Sequence, residues 1–82
     1  MKVSQFHGKN QFIIHDDNGA TFFQSYGSII ARKDRNGISL DARYWDYSKT
    51  TGKYRNLFLN EDKKETERKI ADGIYKLENL NP

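Results

Sequence analysis

The side chains best suited to chemistry crowd into one stretch, YWDYSKTTGKYRNLFL at positions 44–59, which holds the chain's only tryptophan and three of its five tyrosines. Arg43, Lys49, Lys53 and Arg55 interleave there with Tyr44, Trp45, Tyr47 and Tyr54. Cationic groups neutralise phosphates and aromatic rings stack on bases, so this mixture has the residue types of a nucleic-acid surface. Arg32, Lys33 and Arg35 on a neighbouring hairpin extend it. The candidate binding set is Arg32, Lys33, Arg35, Arg43, Tyr47, Lys49, Lys53 and Arg55. Against this stands a plainer role: Trp45 and Tyr54 are also what a thin sheet-on-helix core buries, with their polar tips at its rim.

Other chemistries fit the residues less well. Ser48-Lys-Thr-Thr-Gly-Lys53 has the flavour of a phosphate-binding loop, but Tyr47 stands where the first glycine of GxxxxGK[ST] belongs and Tyr54 where the magnesium-binding hydroxyl belongs. A helix N-terminus there can still attract a single phosphate. His7 and His15 with Asp16 and Asp17 are the only histidine-carboxylate combination, and their spacing on turns is not that of metal ligands. DDNG at 16–19 is explained by turn chemistry. Neither GxSxG nor another nucleophile turn occurs. No catalytic residue, metal, cofactor or small-molecule substrate is therefore expected; the chain reads as a binder.

Composition narrows the setting. Eighty-two residues suffice for one core, since a chain of this size buries only about 60% of its unfolded surface. Five phenylalanines, five tyrosines and seven isoleucines supply that core in a chain whose mean hydropathy is −0.95. Cysteine is absent, which excludes disulfides and thiolate metal sites. The amino-terminal MKVSQFHGKN has no apolar signal-peptide core, and no apolar run approaches the roughly 20 residues of a membrane span. A soluble protein is expected, and the cytosol fits. The net charge of +3 is unevenly spread: residues 32–55 carry seven bases against three acids, while the flanking thirds nearly balance. An anionic partner fits that middle third.

The elements that must position these groups are legible as short segments. QFIIH (11–15), ATFFQS (20–25), SIIARK (28–33) and GISLD (37–41) are strand candidates separated by HGKN, DDNG and DRNG turn signals, with Asn36-Gly37 a hairpin signal. Tyr54, Leu57 and Phe58 fall at i, i+3 and i+4, predicting a helix over 51–59 with Ser48, Thr50 or Thr51 as N-cap and Asn60 at its end. Asp62-Lys-Lys-Glu65 has capping-box spacing and predicts a second helix to Ala71, with Lys63/Glu67 and Glu65/Lys69 as i,i+4 pairs. GIYKLENL (73–80) reads as a last strand or an extended tail.

Three segments, FQSYGSIIA (23–31), LDARYWDYSKTTGKYRNLFLNE (40–61) and ERKIADGIYKLENLN (67–81), resemble a group of small phage and prophage accessory proteins. The resemblance spans about three quarters of the chain. It is carried by Trp45-Asp46-Tyr47-Ser48, Thr50-Thr51, Lys53-Tyr54 and Phe58-Leu59, then by the Lys-Ile-x-x-Gly-x-Tyr-x-Leu pattern at 69–77. Gly27, where relatives carry a polar residue, implies a tighter turn. The group has no established activity and lends no site residues. It implies a phage-type accessory protein, made in a bacterial cytoplasm and acting stoichiometrically on nucleic acid or on a host nucleic-acid-handling or defence protein, such as a nuclease or a CRISPR effector.

The fold class expected is α+β in one domain: an antiparallel β-meander of about four strands, two short helices and a C-terminal strand or tail. Trp45, Tyr54, Leu57 and Phe58 are expected mainly in the core. Lys49, Lys53 and Arg55 are expected to face the partner.

Overall fold

The computed structural model describes residues 1–81. Its elements run β1 (Lys2–Gln5), β2 (Gln11–His15), β3 (Thr21–Ser25), β4 (Ser28–Asp34), β5 (Gly37–Asp41), α1 (Lys49–Leu59), α2 (Lys63–Ala71) and β6 (Lys76–Glu78). The class is α+β, but six strands form the sheet where about four were expected. Strand order follows chain order, β1 to β5 pairing antiparallel and β6 joining β5 in parallel. The central four strands and β6 fall in segments expected as strands or, for the last, as a strand or tail, and β1 is the described strand that falls outside them. KVSQ offers a single apolar residue because it lies on a sheet edge, where all four of its residues are exposed.

Turn chemistry sets the register. Asp16 accepts from the backbone N–H groups of Asn18 and Ala20 through Oδ1, closing the β2–β3 loop. Asp34 does the same for Asn36, and the chain reverses at Arg35-Asn36 with Gly37 at φ +122°. The β3–β4 reversal uses Tyr26-Gly27, and there it is Tyr26, not the glycine, that holds φ 56°.

The pairing places Ile13, Phe23, Ala31 and Leu40 in one row across the sheet, and Val3, Ile14, Phe22, Arg32 and Ser39 in the alternate row. Helix α1 covers the first row: Phe23, Ala31 and Leu40 are buried with Phe58, Leu59 and Tyr75. Phe6, Phe23 and Phe58 pack with ring centres 5.6–6.3 Å apart.

Ser48 caps α1, its Oγ accepting from the Thr51 N–H at 3.1 Å, and Asn60 ends the helix in the left-handed region at φ 57°. The helix thus starts two residues before the expected Thr51. Its buried face is Thr51, Gly52, Arg55, Phe58 and Leu59. Leu57, expected in the core, is 48% exposed, while Trp45 and Tyr54 are half-buried against the core. The apolar spacing misled by about one position because an arginine, a threonine and a glycine occupy the inward stripe.

Asp62 caps α2 through the Glu65 N–H. The ion pairs expected along α2 are not the ones formed: Lys63 reaches Asp46, Glu65 takes Arg68, and Lys69 takes Glu61. Tertiary carboxylates draw Lys63 and Lys69 away from i,i+4 neighbours that offer only a few tenths of a kcal/mol, while Glu65 keeps a local i,i+3 partner. Glu61, with a side chain 7% exposed, accepts from Thr66 Oγ1 at 2.6 Å, Lys69 Nζ at 2.7 Å and Tyr75 Oη at 2.8 Å. This network ties the α1–α2 junction to the segment entering β6. Among the described residues, no helix is long and apolar enough to cross a membrane.

Candidate functional site

The first two turns of α1, the 45–48 loop before it and the start of α2 enclose an open hollow of roughly 470 Å³. Its lining includes Lys49, Lys53, Arg55 and Lys63, with Asp46 as the one carboxylate. Ser48, Gly52 and Asn56 complete the lining.

Arg55 is the fixed member. It is 1% exposed, and bonds from its two terminal nitrogens offset the cost of burying the guanidinium, while its Nε has no partner among the described residues. Nη1 donates to the Trp45 carbonyl at 2.8 Å and to Asp46 Oδ1 at 3.2 Å, and Nη2 donates to Asn56 Oδ1 at 3.0 Å. Its guanidinium carbon stands 5.2 Å from the Trp45 ring centre, within cation–π range. Helix periodicity brings this about: Thr51 and Arg55 share the inward stripe, and Thr51 anchors the helix start to β3 through a 3.0 Å hydroxyl contact with Ser25.

Asp46 holds Lys63 at 2.7 Å with its other oxygen. Burial pushes the Asp46 carboxyl up, but the hydrogen bonds and charges of Lys63 and Arg55 outweigh it and hold it below the usual aspartate value. Lys49 and Lys53 are exposed, and Lys53 Nζ hovers 5.6 Å from the Tyr54 ring centre. Four cations therefore share the hollow with one anionic group. Such an excess in a concave site focuses a field that attracts anions.

The candidate set divides accordingly. Lys49, Lys53 and Arg55 come together in this hollow, although Arg55 is a buried anchor and not the free side chain the sequence suggested; Trp45, Asp46 and Asn56 occupy its two terminal nitrogens. Arg32 is spent on the opposite sheet face, pairing with Glu78 at 2.9 Å and Asp34 at 3.3 Å and reaching Ser39 at 3.1 Å. Lys33 is tethered to the Phe58 carbonyl at 2.6 Å and lies over that ring, and burial lowers its pKa against the opposing pull of Glu61. Arg35 is exposed at the tip of the β4–β5 reversal. Arg43 is exposed, 5.4 Å over the Tyr44 ring. Tyr47 is 67% exposed and packs edge-on against Tyr44 at 5.5 Å.

Lys63 and Asp46 are the members that sequence reasoning did not place here. Lys63 looked like a solvent-facing helix residue paired with Glu67, and nothing local signals that α2 folds back to bring it to Asp46. The histidines gather no site: His15 Nδ1 lies 3.2 Å from the Thr21 hydroxyl, and among the described residues no three His, Cys, Asp or Glu side chains cluster as a metal would need.

The model of a family described as Family of unknown function (DUF8033) matches residues 2–73, a span that takes in β1 to β5, both helices and the whole hollow. No curated protein and no solved structure matches the chain.

Proposed function

We propose that this chain, which belongs to the family of unknown function DUF8033, is a non-enzymatic, phage-type accessory protein that binds nucleic acid through its phosphate backbone. One observation carries the reading. Four cations, one of them immobilised, line a single open hollow against one carboxylate. A pre-ordered arginine beside mobile lysines suits phosphate, because the fixed positive centre needs no ordering when the anion arrives and the lysines adapt to it. Nothing in the hollow reads a base edge, so sequence-independent binding in the bacterial cytoplasm is the form this activity takes.

The test is a fluorescence anisotropy titration of labelled DNA and RNA at several salt concentrations. The log of the association constant is expected to fall against log salt with a slope of about −3, as three or four phosphate contacts give. Lys49→Glu and Lys53→Glu are each expected to lower that slope by about one, for every sequence alike. Absence of binding at low salt, or slopes unchanged in both variants, would overturn the proposal. Capture of a defined host defence protein from nuclease-treated lysate would then favour inhibition by protein contact, the other role that the small size and phage-like sequence support.

A further inference from the structure

A second concavity, roughly 400 Å³, lies across the first turn of α1 from the basic hollow. Thr51 lines one and its neighbour Gly52 the other. Three tyrosines line this groove: Tyr26 at the β3–β4 reversal, and Tyr44 and Tyr47 in the loop before α1. Tyr26 is 52% exposed and Tyr47 67% exposed, an unusual degree for rings that a small domain would gain by burying. The floor is apolar and hydroxylic, formed by Ile30, Ser25 and Thr51.

Two features mark the rings as arranged for more than surface cover. Tyr26 holds φ 56°, a conformation that costs a non-glycine residue stability, although Gly27 beside it would take positive φ at no such cost. Its N–H donates to the Asn10 carbonyl at 2.7 Å and its own carbonyl accepts from Gln24 Nε2 at 2.8 Å, so the turn before β2 and a side chain of β3 hold the Tyr26 backbone in this conformation. Tyr44 and Tyr47 meet edge to face at 5.5 Å, leaving faces of the pair unstacked.

We propose that this groove seats unpaired nucleobases, and that the ligand class of the protein is single-stranded nucleic acid. The inference rests on the phosphate reading of the basic hollow. A tyrosine groove alone would suit several partners; one turn of helix away from a cationic hollow, it suits a strand whose phosphates enter the hollow while its bases stack on rings. A duplex keeps its bases stacked on one another and offers the rings nothing. Stacking is tolerant of base identity, which agrees with a surface that has no base-edge readers.

The experiment compares three labelled probes at one salt concentration: an oligothymidylate of about twelve nucleotides, within the range of small single-strand sites, an abasic strand with the same phosphates, and a duplex of the same length. Wild-type protein is expected to bind the oligothymidylate roughly tenfold more tightly than either other probe. Tyr47→Ala is expected to weaken oligothymidylate binding by roughly fivefold or more, leave the abasic strand unaffected and lose nothing when replaced instead by Trp. Tyr26→Asn, which keeps a residue tolerant of positive φ while removing the ring, is expected to act in the same direction. Equal affinity for the base-bearing and abasic strands, a preference for the duplex, or indifference to both tyrosine substitutions would overturn the base seat. In those cases Lys53→Glu would still weaken all probes, and the phosphate reading would stand; if no probe binds at low salt, both fall together.

Discussion

Arg55 and Glu61 stand six residues apart, both nearly removed from water, and their surroundings differ in a way that separates structure from function. Around Glu61 the account closes: one carboxylate, three donors at 2.6–2.8 Å, and a single lysine to balance its charge. Burial pushes the Glu61 carboxyl up, but its bonds to Lys69, Thr66 and Tyr75 prevail and hold it below the ordinary glutamate value. Arg55 is also bonded, to the Trp45 carbonyl, Asp46 and Asn56, yet Lys49, Lys53 and Lys63 gather about it with only Asp46 to offset them. A buried charge whose bonds and counter-charge balance signals a structural part. A buried charge amid an excess of its own sign, beside an opening, signals a partner.

The largest expected effect breaks the closed cluster. Glu61→Ala leaves the Tyr75 hydroxyl and Lys69 without their acceptor, and loss of one member of a buried ionic network costs about 3 kcal/mol. Urea unfolding followed by Trp45 fluorescence measures it. Nucleic-acid binding, assayed where the variant remains folded, is expected to keep its salt slope. A wild-type unfolding midpoint, or a changed slope, would erase the distinction between the clusters.

Asp46→Asn acts on the open cluster, with a smaller effect of two opposite signs. Asparagine retains an acceptor for the Arg55 guanidinium, so the loss in stability is expected to be about 1 kcal/mol or less. Removing the lone carboxylate raises the positive charge of the hollow, and affinity for a single-stranded probe is expected to rise about threefold at low salt and less at high salt. A variant that is weaker in both respects would make Asp46 part of the binding surface and not its counterweight.

Local chemistry was readable in the sequence and tertiary partnership was not. The three turn signals, the Ser48 cap and the Asp62 cap are properties of four or five consecutive residues, and the helices and four central strands lie within two residues of where the pattern puts them. The segment carrying the hollow was legible through its charge. Arg55 was misjudged because a guanidinium surrounded by a carbonyl, a carboxylate and an amide is as well buried as a leucine, and none of those acceptors can be assigned to it from spacing. Lys63 was missed for the converse reason, since its partner lies 17 positions back on a loop. Strand β1 carries no alternating apolar signal because it is an edge with all four residues exposed.

The smallest expected effect is in acid, and it tells the clusters apart by where it begins. Both carboxyls are held below their ordinary values, 4.5 for Glu61 and 3.8 for Asp46, so each folded-state carboxylate releases its proton more readily than in the unfolded chain. The unfolded chain binds more protons in that range, stability rises with pH, and the contribution is fully present above the unfolded value and lost as pH falls through the folded one. Glu61 therefore begins to withdraw its share near pH 4.5, and Asp46 only near pH 3.8. In urea midpoints measured from pH 7 downward, Glu61→Gln is expected to lie below wild type at neutral pH and to converge on it from about pH 4.5, while Asp46→Asn converges only further into acid. Curves that stay parallel for Glu61→Gln would mean that its carboxylate gains nothing from its three donors, and the closed cluster would lose its claim to be the structural one.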